Sequence, residues 1–167
     1  MTEPLRIEKL QRAHAVDQFT CGKADLDRFL VRLALQAQQA NASQTYVGLS
    51  GATLVGFYTL VAGEIEHAKA PERVVKGMPR HPIPILVLAR LAVHSQWQNK
   101  RLGAGLLLDA MGRVLQVADI AGVRALAVHA KDDAAAAFYR HFGFMPSPTD
   151  VRHLFMLVKD IRAAAGV

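Results

Sequence analysis

The chain has 167 residues, a length that suits one domain spanning 1–167, and its 51% hydrophobic and 20% charged residues exclude a disordered or fibrous class. A lone cysteine, Cys21, excludes an internal disulfide framework, and with no signal-like N-terminal stretch a reducing, cytoplasmic setting is expected. Lys and Arg outnumber Asp and Glu by 20 to 14, and the net charge of +6 suits a polyanionic partner, a phosphate-rich cofactor, or both.

In chain order, residues 5–9 alternate weakly and predict an edge strand leading into the 11–19 segment. Residues 23–35 predict a helix, because Leu26, Phe29, Leu30 and Leu33 recur at three- and four-residue spacing on one apolar face. Lys23, Arg28 and Arg32 fall off that face, as a solvated surface or as part of a nucleic-acid track. The polar tract 36–43 continues the helix and then breaks it. Residues 45–49 and 54–60 flank Ser50, Gly51 and Ala52, which predicts a hairpin. Residues 63–82 carry Pro71, Pro79 and Pro82 and read as a surface excursion with one helical turn around 72–76. Lys69, Arg73, Lys76 and Arg80 are spaced along it so that they can touch a phosphate backbone.

Residues 83–93 are almost continuously apolar, as in a strand covered on both faces. Arg90 interrupts the run, so no membrane span is expected there. Arginine is seldom buried unpaired, so Arg90 either emerges toward a ligand, the expectation here, or pairs with a carboxylate. The polar turn that follows, Trp97 through Gly105, opens a helix at 106–121 whose stripe is Leu107, Leu108, Met111, Leu115 and Ala118. A strand that ends in such a turn and enters a helix makes an anion site, because the first helical N–H groups lack partners and sit at the positive pole of the dipole. Gly103 and Gly105 let a ligand approach the backbone without meeting a Cβ. There is no Gly-Lys-Ser/Thr for a P-loop, and Leu108 stands where a dinucleotide fingerprint needs its third glycine.

Gly122 ends that helix and residues 124–130 predict the next strand. Asp132 or Asp133 is placed to cap a helix over 134–141, and Gly143 to end it in a left-handed cap. After the Pro146-Ser147-Pro148 turn, residues 153–158 form a last strand. The order β-α-α-β-β-β-α-β-α-β gives an α/β fold, a mixed twisted sheet with helices on both faces. The histidines show no metal-ligand spacing, so no metal site is expected.

Two segments resemble the Gcn5-related N-acetyltransferase (GNAT) superfamily. Gln98-Asn99-Lys100-Arg101-Leu102-Gly103 is similar to its Arg/Gln-x-x-Gly-x-Gly/Ala motif, and Ala137 to Phe144 to its A-x-x-F-Y-x-x-x-G-F signature. The resemblance is closer to the acetyltransferase toxins of bacterial toxin–antitoxin pairs. It extends to Phe19-Thr20-Cys21-Gly22, Leu26 to Leu30, Ser43 to Val47, Ile85 to Val93 and Val128-His129-Ala130. It implies an enzyme that moves acetyl from acetyl-CoA to the α-amino group of aminoacyl-tRNA, a ribbon-helix-helix antitoxin as partner, and a homodimer. The alternatives are an acetyltransferase for a small amine or a protein N-terminus, and a catalytically silent acyl-CoA- or partner-binding module.

By that resemblance, the backbone of Leu91, Ala92 and Val93 holds the acyl carbonyl and pantetheine arm. Gln98, Asn99, Lys100, Arg101, Leu102, Gly103, Ala104 and Gly105 cradle the pyrophosphate. Arg101 stands where the family has its first glycine. Phe138 is expected to border the cofactor and, with Phe142 and Phe144, to belong to the core. Tyr139, a phenol with an ordinary pKa of about 10, is the expected general acid for the departing thiolate. His129, Asp132 and Asp133 are the nearby titratable groups, each also readable as a strand-end residue or helix cap. An α-amine titrates near pH 8, so it needs no dedicated base. For tRNA phosphates the candidates are Arg90, Lys23, Arg28, Arg32, Lys76 and Arg80.

Overall fold

A computed structural model describes residues 4–166. Its seven strands form one mixed sheet in the order β1-β2-β3-β4-β5-β7-β6. The chain divides into two compact units, residues 1–61 with 89–110, and residues 62–88 with 111–167.

In the first unit, β1 (Leu5–Lys9) runs antiparallel to β2 (Gln44–Ser50), with Leu5 opposite Ser50. A two-residue turn, with Gly51 at φ +60°, joins β2 to β3 (Thr53–Ile65), so the hairpin expected from Ser50-Gly51-Ala52 is present. Between β1 and β2 lie α1 (Ala24–Arg28), a π-turn over Phe29–Leu33, and α2 (Ala34–Gln39). Phe29 and Leu30 are buried as expected, but Leu33 is 50% exposed and Ala34 takes its place inside. The π-turn is the reason. Its wider turn moves the buried stripe by about one residue, which a 3.6-residue period does not anticipate. The Gln38 side-chain amide donates to the Leu10 carbonyl at 2.8 Å and accepts from the Thr45 N–H at 3.0 Å, tying α2 to the start of the sheet. Leu10, Phe19, Phe29, Leu30, Val47 and Phe57 fill the core beneath.

Like β3, β4 (Ile83–Val93) and α4 (Leu102–Ala118) each cross from one unit into the other. α4 begins four residues before the expected 106 and ends at 118, so Gly103 and Gly105 lie within its first turn. Its buried stripe is Leu106, Leu107, Ala110, Met111 and Val114, and Leu108 is 57% exposed. Gly56 of β3 explains the shift. Its bare Cα leaves the space into which the Leu106 methyls fit, with Leu106 Cδ1 only 2.8 Å from where a Cβ would stand.

In the second unit, the first part of β4 pairs in parallel with β5 (Ala125–His129), from Ile85 opposite Ala125 to Leu88 opposite Val128. β5 pairs antiparallel with β7 (His153–Leu157), which carries the two-residue β6 (Met145–Pro146) at the edge. α3 (Glu72–Val75) is the helical turn expected near 72–76, whereas β3 runs on to Ile65, past the expected end at 60. α5 (Asp133–His141) lies where a helix was predicted; α6 (Val158–Ala164) was not, and it takes Val158 from the last strand. Ile65, Val74, Ile83, Ala125, Ala127 and Phe155 build this unit's core.

A Cβ at position 56 would also lie 2.9 Å from the Ala92 carbonyl oxygen, a backbone atom that cannot yield cheaply. Gly56→Ala is therefore expected to destabilise the protein by about 1–3 kcal/mol, read as a lower urea midpoint at unchanged slope.

Candidate functional site

The turn after β4 is fastened on both sides. His94 N–H donates to the Val55 carbonyl and Ser95 N–H to the Thr20 carbonyl, each at 2.8 Å. The Gln98 side-chain amide donates to the carbonyls of Cys21 at 3.3 Å and Val93 at 3.2 Å. Gln98 is thus a brace, and what remains for a ligand is its main chain. Lys100 lies over the Trp97 ring, 4.9 Å from its centroid. Asn99 and Arg101 both have left-handed backbones, at φ +64° and +63°. That conformation costs a non-glycine residue about 1–2 kcal/mol, which is why a glycine suits position 101 in the similar motif. The Arg101 side chain is exposed.

The first i→i−4 bond of α4 runs from Gly105 N–H to the Arg101 carbonyl at 3.2 Å. The N–H groups of Leu102, Gly103 and Ala104 precede it and carry the positive end of a 17-residue helix. These N–H groups make a positive pole at the end of the turn. Gly105, however, serves packing: a Cβ there would sit 3.1 Å from Leu5 Cδ2, so its bareness admits Leu5 and not a ligand.

Tyr139 lies in α5 of the second unit. Asp132 caps the start of α5, its carboxylate accepting from Ala135 N–H at 2.8 Å, a contact worth about 1 kcal/mol. The helix ends at Gly143, φ +100°, with Gly143 N–H donating to the Arg140 carbonyl and Phe144 N–H to the Tyr139 carbonyl. These paired bonds form a Schellman cap, and the accompanying apolar contact is Phe144 against the Tyr139 ring, centroids 5.4 Å apart. Phe138 packs edge-on with the same ring, centroids 5.1 Å apart. Tyr139 is 6% exposed, and burial pushes its phenol well above the ordinary 10. Among the described residues its hydroxyl takes no hydrogen bond. It stays a neutral phenol across any working pH. Phe144 is core as expected, whereas Phe138 and Phe142 are only half-buried, because they lie on the flanks of the face that carries Tyr139.

The nearby titratable groups hold structural contacts. His129 is exposed, stacked on His153 at 3.9 Å and 3.7 Å from Asp150. Asp132 is the cap just described, and Asp133 pairs with Arg152 at 3.1 Å.

The cations divide between the units. In the first, the Arg90 guanidinium lies 3.6 Å from the centroid of Phe29, and burial lowers its pKa. It meets a ring, not the carboxylate that was one expectation, so its charge is held in place by a cation–π contact. Lys23 and Arg32 are exposed, and Arg28 stands 3.6 Å from Asp25. In the second, Lys76 and Arg80 are exposed, whereas Lys69 pairs with Glu66 and Arg73 with Asp160. Only half of the cations expected along 63–82 are therefore uncommitted.

Residues 41–146 match the acetyltransferase (GNAT) domain family. The chain belongs to the GNAT acetyltransferases. It is 44% identical, over 95% of its own length and 95% of the other's, to a protein named tRNA-acetylating toxin from Mycobacterium tuberculosis (strain ATCC 25618 / H37Rv). It superposes on AtaT complexed with acetyl-methionyl-tRNAfMet with a TM-score of 0.89 at 27% identity, covering 97% of this chain and 99% of that one. A tyrosine-to-phenylalanine mutant of AtaT, bound to the C-terminus of the antitoxin AtaR and acetyl-CoA, gives 0.83 at 25% identity, covering 99% and 100%.

Sequence reasoning missed Gly56, although a glycine inside a strand of bulky residues is itself a sign of close backbone approach. For this GNAT protein, Arg101→Gly is expected to raise stability by about 0.5–1 kcal/mol, seen as a melting temperature roughly 1–4 °C higher. The Tyr139 pKa is raised on folding, so its contribution to stability is complete below pH 10 and is lost as pH rises above it, where only the unfolded phenol ionises. Tyr139→Phe should accordingly flatten the alkaline fall in unfolding free energy, measured by urea titration at successive pH values.

Proposed function

We propose that this GNAT enzyme transfers the acetyl group of acetyl-CoA to the α-amino group of aminoacyl-tRNA, and so acts as a translation-blocking toxin. The observation that carries the reading is the 44% identity, along 95% of both chains, with a tRNA-acetylating toxin. The binding turn fits the cofactor: the unpartnered N–H groups of Leu102, Gly103 and Ala104 form a positive pole suited to a pyrophosphate. When bound, acetyl-CoA supplies the acyl group and a thiolate leaving group.

The backbone of Leu91, Ala92 and Val93 orients the acyl arm, and the main chain from Gln98 to Ala104 holds the diphosphate, with Lys100 and Arg101 adding charge. Phe138 borders the cofactor on the Tyr139 side. Tyr139 donates its proton to the departing thiolate, a role its buried and neutral phenol suits. No dedicated base is required, because an α-amine with a pKa near 8 is about one-tenth neutral at pH 7. Lys23, Arg28, Arg32 and Arg90 in one unit, with Lys76 and Arg80 in the other, supply contacts to tRNA phosphates. We further assign the protein to the cytoplasm, as a homodimer whose 167 residues work as one domain and whose antitoxin is of the ribbon-helix-helix type. No helix among the described residues is long and apolar enough to cross a membrane.

Incubation with radiolabelled acetyl-CoA is expected to label charged tRNA and leave uncharged tRNA blank; label on uncharged tRNA would overturn the assignment. Labelling of a small amine or a protein N-terminus in place of charged tRNA would point to the other acetyltransferase reading. Tyr139→Phe is expected to slow transfer about 10²-fold or more while acetyl-CoA affinity, measured by calorimetry, stays as in the wild type. A mutant with full transfer activity would remove Tyr139 from the acid role.

A further inference from the structure

The second unit contains a cavity of about 600 Å³ at the N-terminal end of β5. Arg73, Lys76, Arg124, Lys159 and Arg162 line it, and none of its lining residues carries a carboxylate. It lies at the end of β5 opposite His129 and the cap of α5, and it shares no residue with the 98–105 turn or with Tyr139.

The five cations are of two kinds. Arg73 is gripped by both carboxylate oxygens of Asp160, at 2.6 and 2.9 Å. Arg124 spends its guanidinium on backbone: Nε donates to the Val74 carbonyl at 3.0 Å, and one terminal nitrogen donates to the carbonyls of Arg73 and Lys76 at 3.3 and 3.0 Å. These arginines fix the wall and its charge, and their forks are not free to chelate a ligand. Lys76 and Lys159 are exposed and, among the described residues, not ion-paired. Arg162 stands 3.6 Å from the exposed Asp119, a loose contact.

What the cavity offers is therefore flexible point charge in front of a rigid positive wall. A discrete anion read stereospecifically needs fixed, converging donors. Mobile ammonium groups instead suit a phosphodiester backbone, where attraction is electrostatic and sequence-independent. We propose that this pocket is a docking site for the phosphate backbone of tRNA, contacted by Lys76, Lys159 and Arg162. The proposal rests on the tRNA reading above and adds Lys159 and Arg162 to the acceptor-binding surface.

The test uses uncharged, fluorescently labelled tRNA and the full chain, with affinity followed by anisotropy from about 50 to about 200 mM salt. The double variant Lys159→Gln/Arg162→Gln is expected to bind about tenfold more weakly at the low-salt end. Its slope of log affinity against log salt should fall by about 1.5, the release of counterions from two phosphates. Asp119→Asn removes the carboxylate facing Arg162 and is expected to bind tRNA as well as or better than the wild type. Acetyl-CoA affinity should be the same in all three proteins. An unchanged salt slope in the double variant, weaker binding in Asp119→Asn, or a parallel loss of acetyl-CoA affinity would each overturn the site. Wild-type protein that fails to label charged tRNA overturns the proposed reaction. Wild-type protein that labels it, with an unchanged slope in the double variant, overturns the pocket alone.

Discussion

The close approach of α4 to the sheet at Gly56 is the constraint on which the first unit depends. Where a side chain would stand, Leu106 and the Ala92 carbonyl are both within 3 Å. Only a residue without a Cβ lets the helix settle at that depth. That depth sets which face of α4 is buried and where the N–H groups of its first turn point. Tyr58, two residues on in β3, extends the same join by hydrogen-bonding Asp109 of α4. A positive pole made of main-chain groups has no side chain to adjust, so its aim must come from packing of this kind.

Around that join, the segment from His94 to Arg101 is arranged as a short, heavily fastened lead-in. Backbone bonds to Val55 and Thr20 and the two bonds of the Gln98 amide hold it. The two left-handed residues, Asn99 and Arg101, then reverse the chain sharply enough to enter α4 at Leu102. The strain of those residues is tolerated because the neighbouring contacts over-determine the path. Arg101 thus departs from the similar motif in identity while holding a left-handed backbone that glycine adopts freely.

Chemistry and charge are distributed differently. Tyr139 is placed by a Schellman cap, a local device whose parts all lie between Asp132 and Phe144. The cations are placed by whatever elements carry them, and the structure separates those bound to neighbours from those left exposed. Arg90, Arg73 and Arg124 each have a defined partner, a ring, a carboxylate and three carbonyls respectively. Lys23, Arg32, Lys76, Arg80 and Lys159 remain outward.

Much of this was legible in the chain itself. The strand–turn–helix from Ile83 through Gly105, the Asp132 cap and the Gly143 terminus follow from local rules, because each depends on residues within one or two turns of one another. The same locality made Phe138-Tyr139 with Gly143-Phe144 readable as a unit. Other features turn on a local departure from the regular helical period or on neighbours distant in sequence. Leu33 is exposed because a π-turn advances the helix beneath it, and Leu108 because Leu106 is the residue that meets Gly56. Gly105 answers to Leu5 across about a hundred residues of the chain, and Arg90 to Phe29 across about sixty. Periodicity reports which residues are apolar and at what spacing. Which of them faces inward, and which charge remains unspent, is decided only when a second element arrives to cover it.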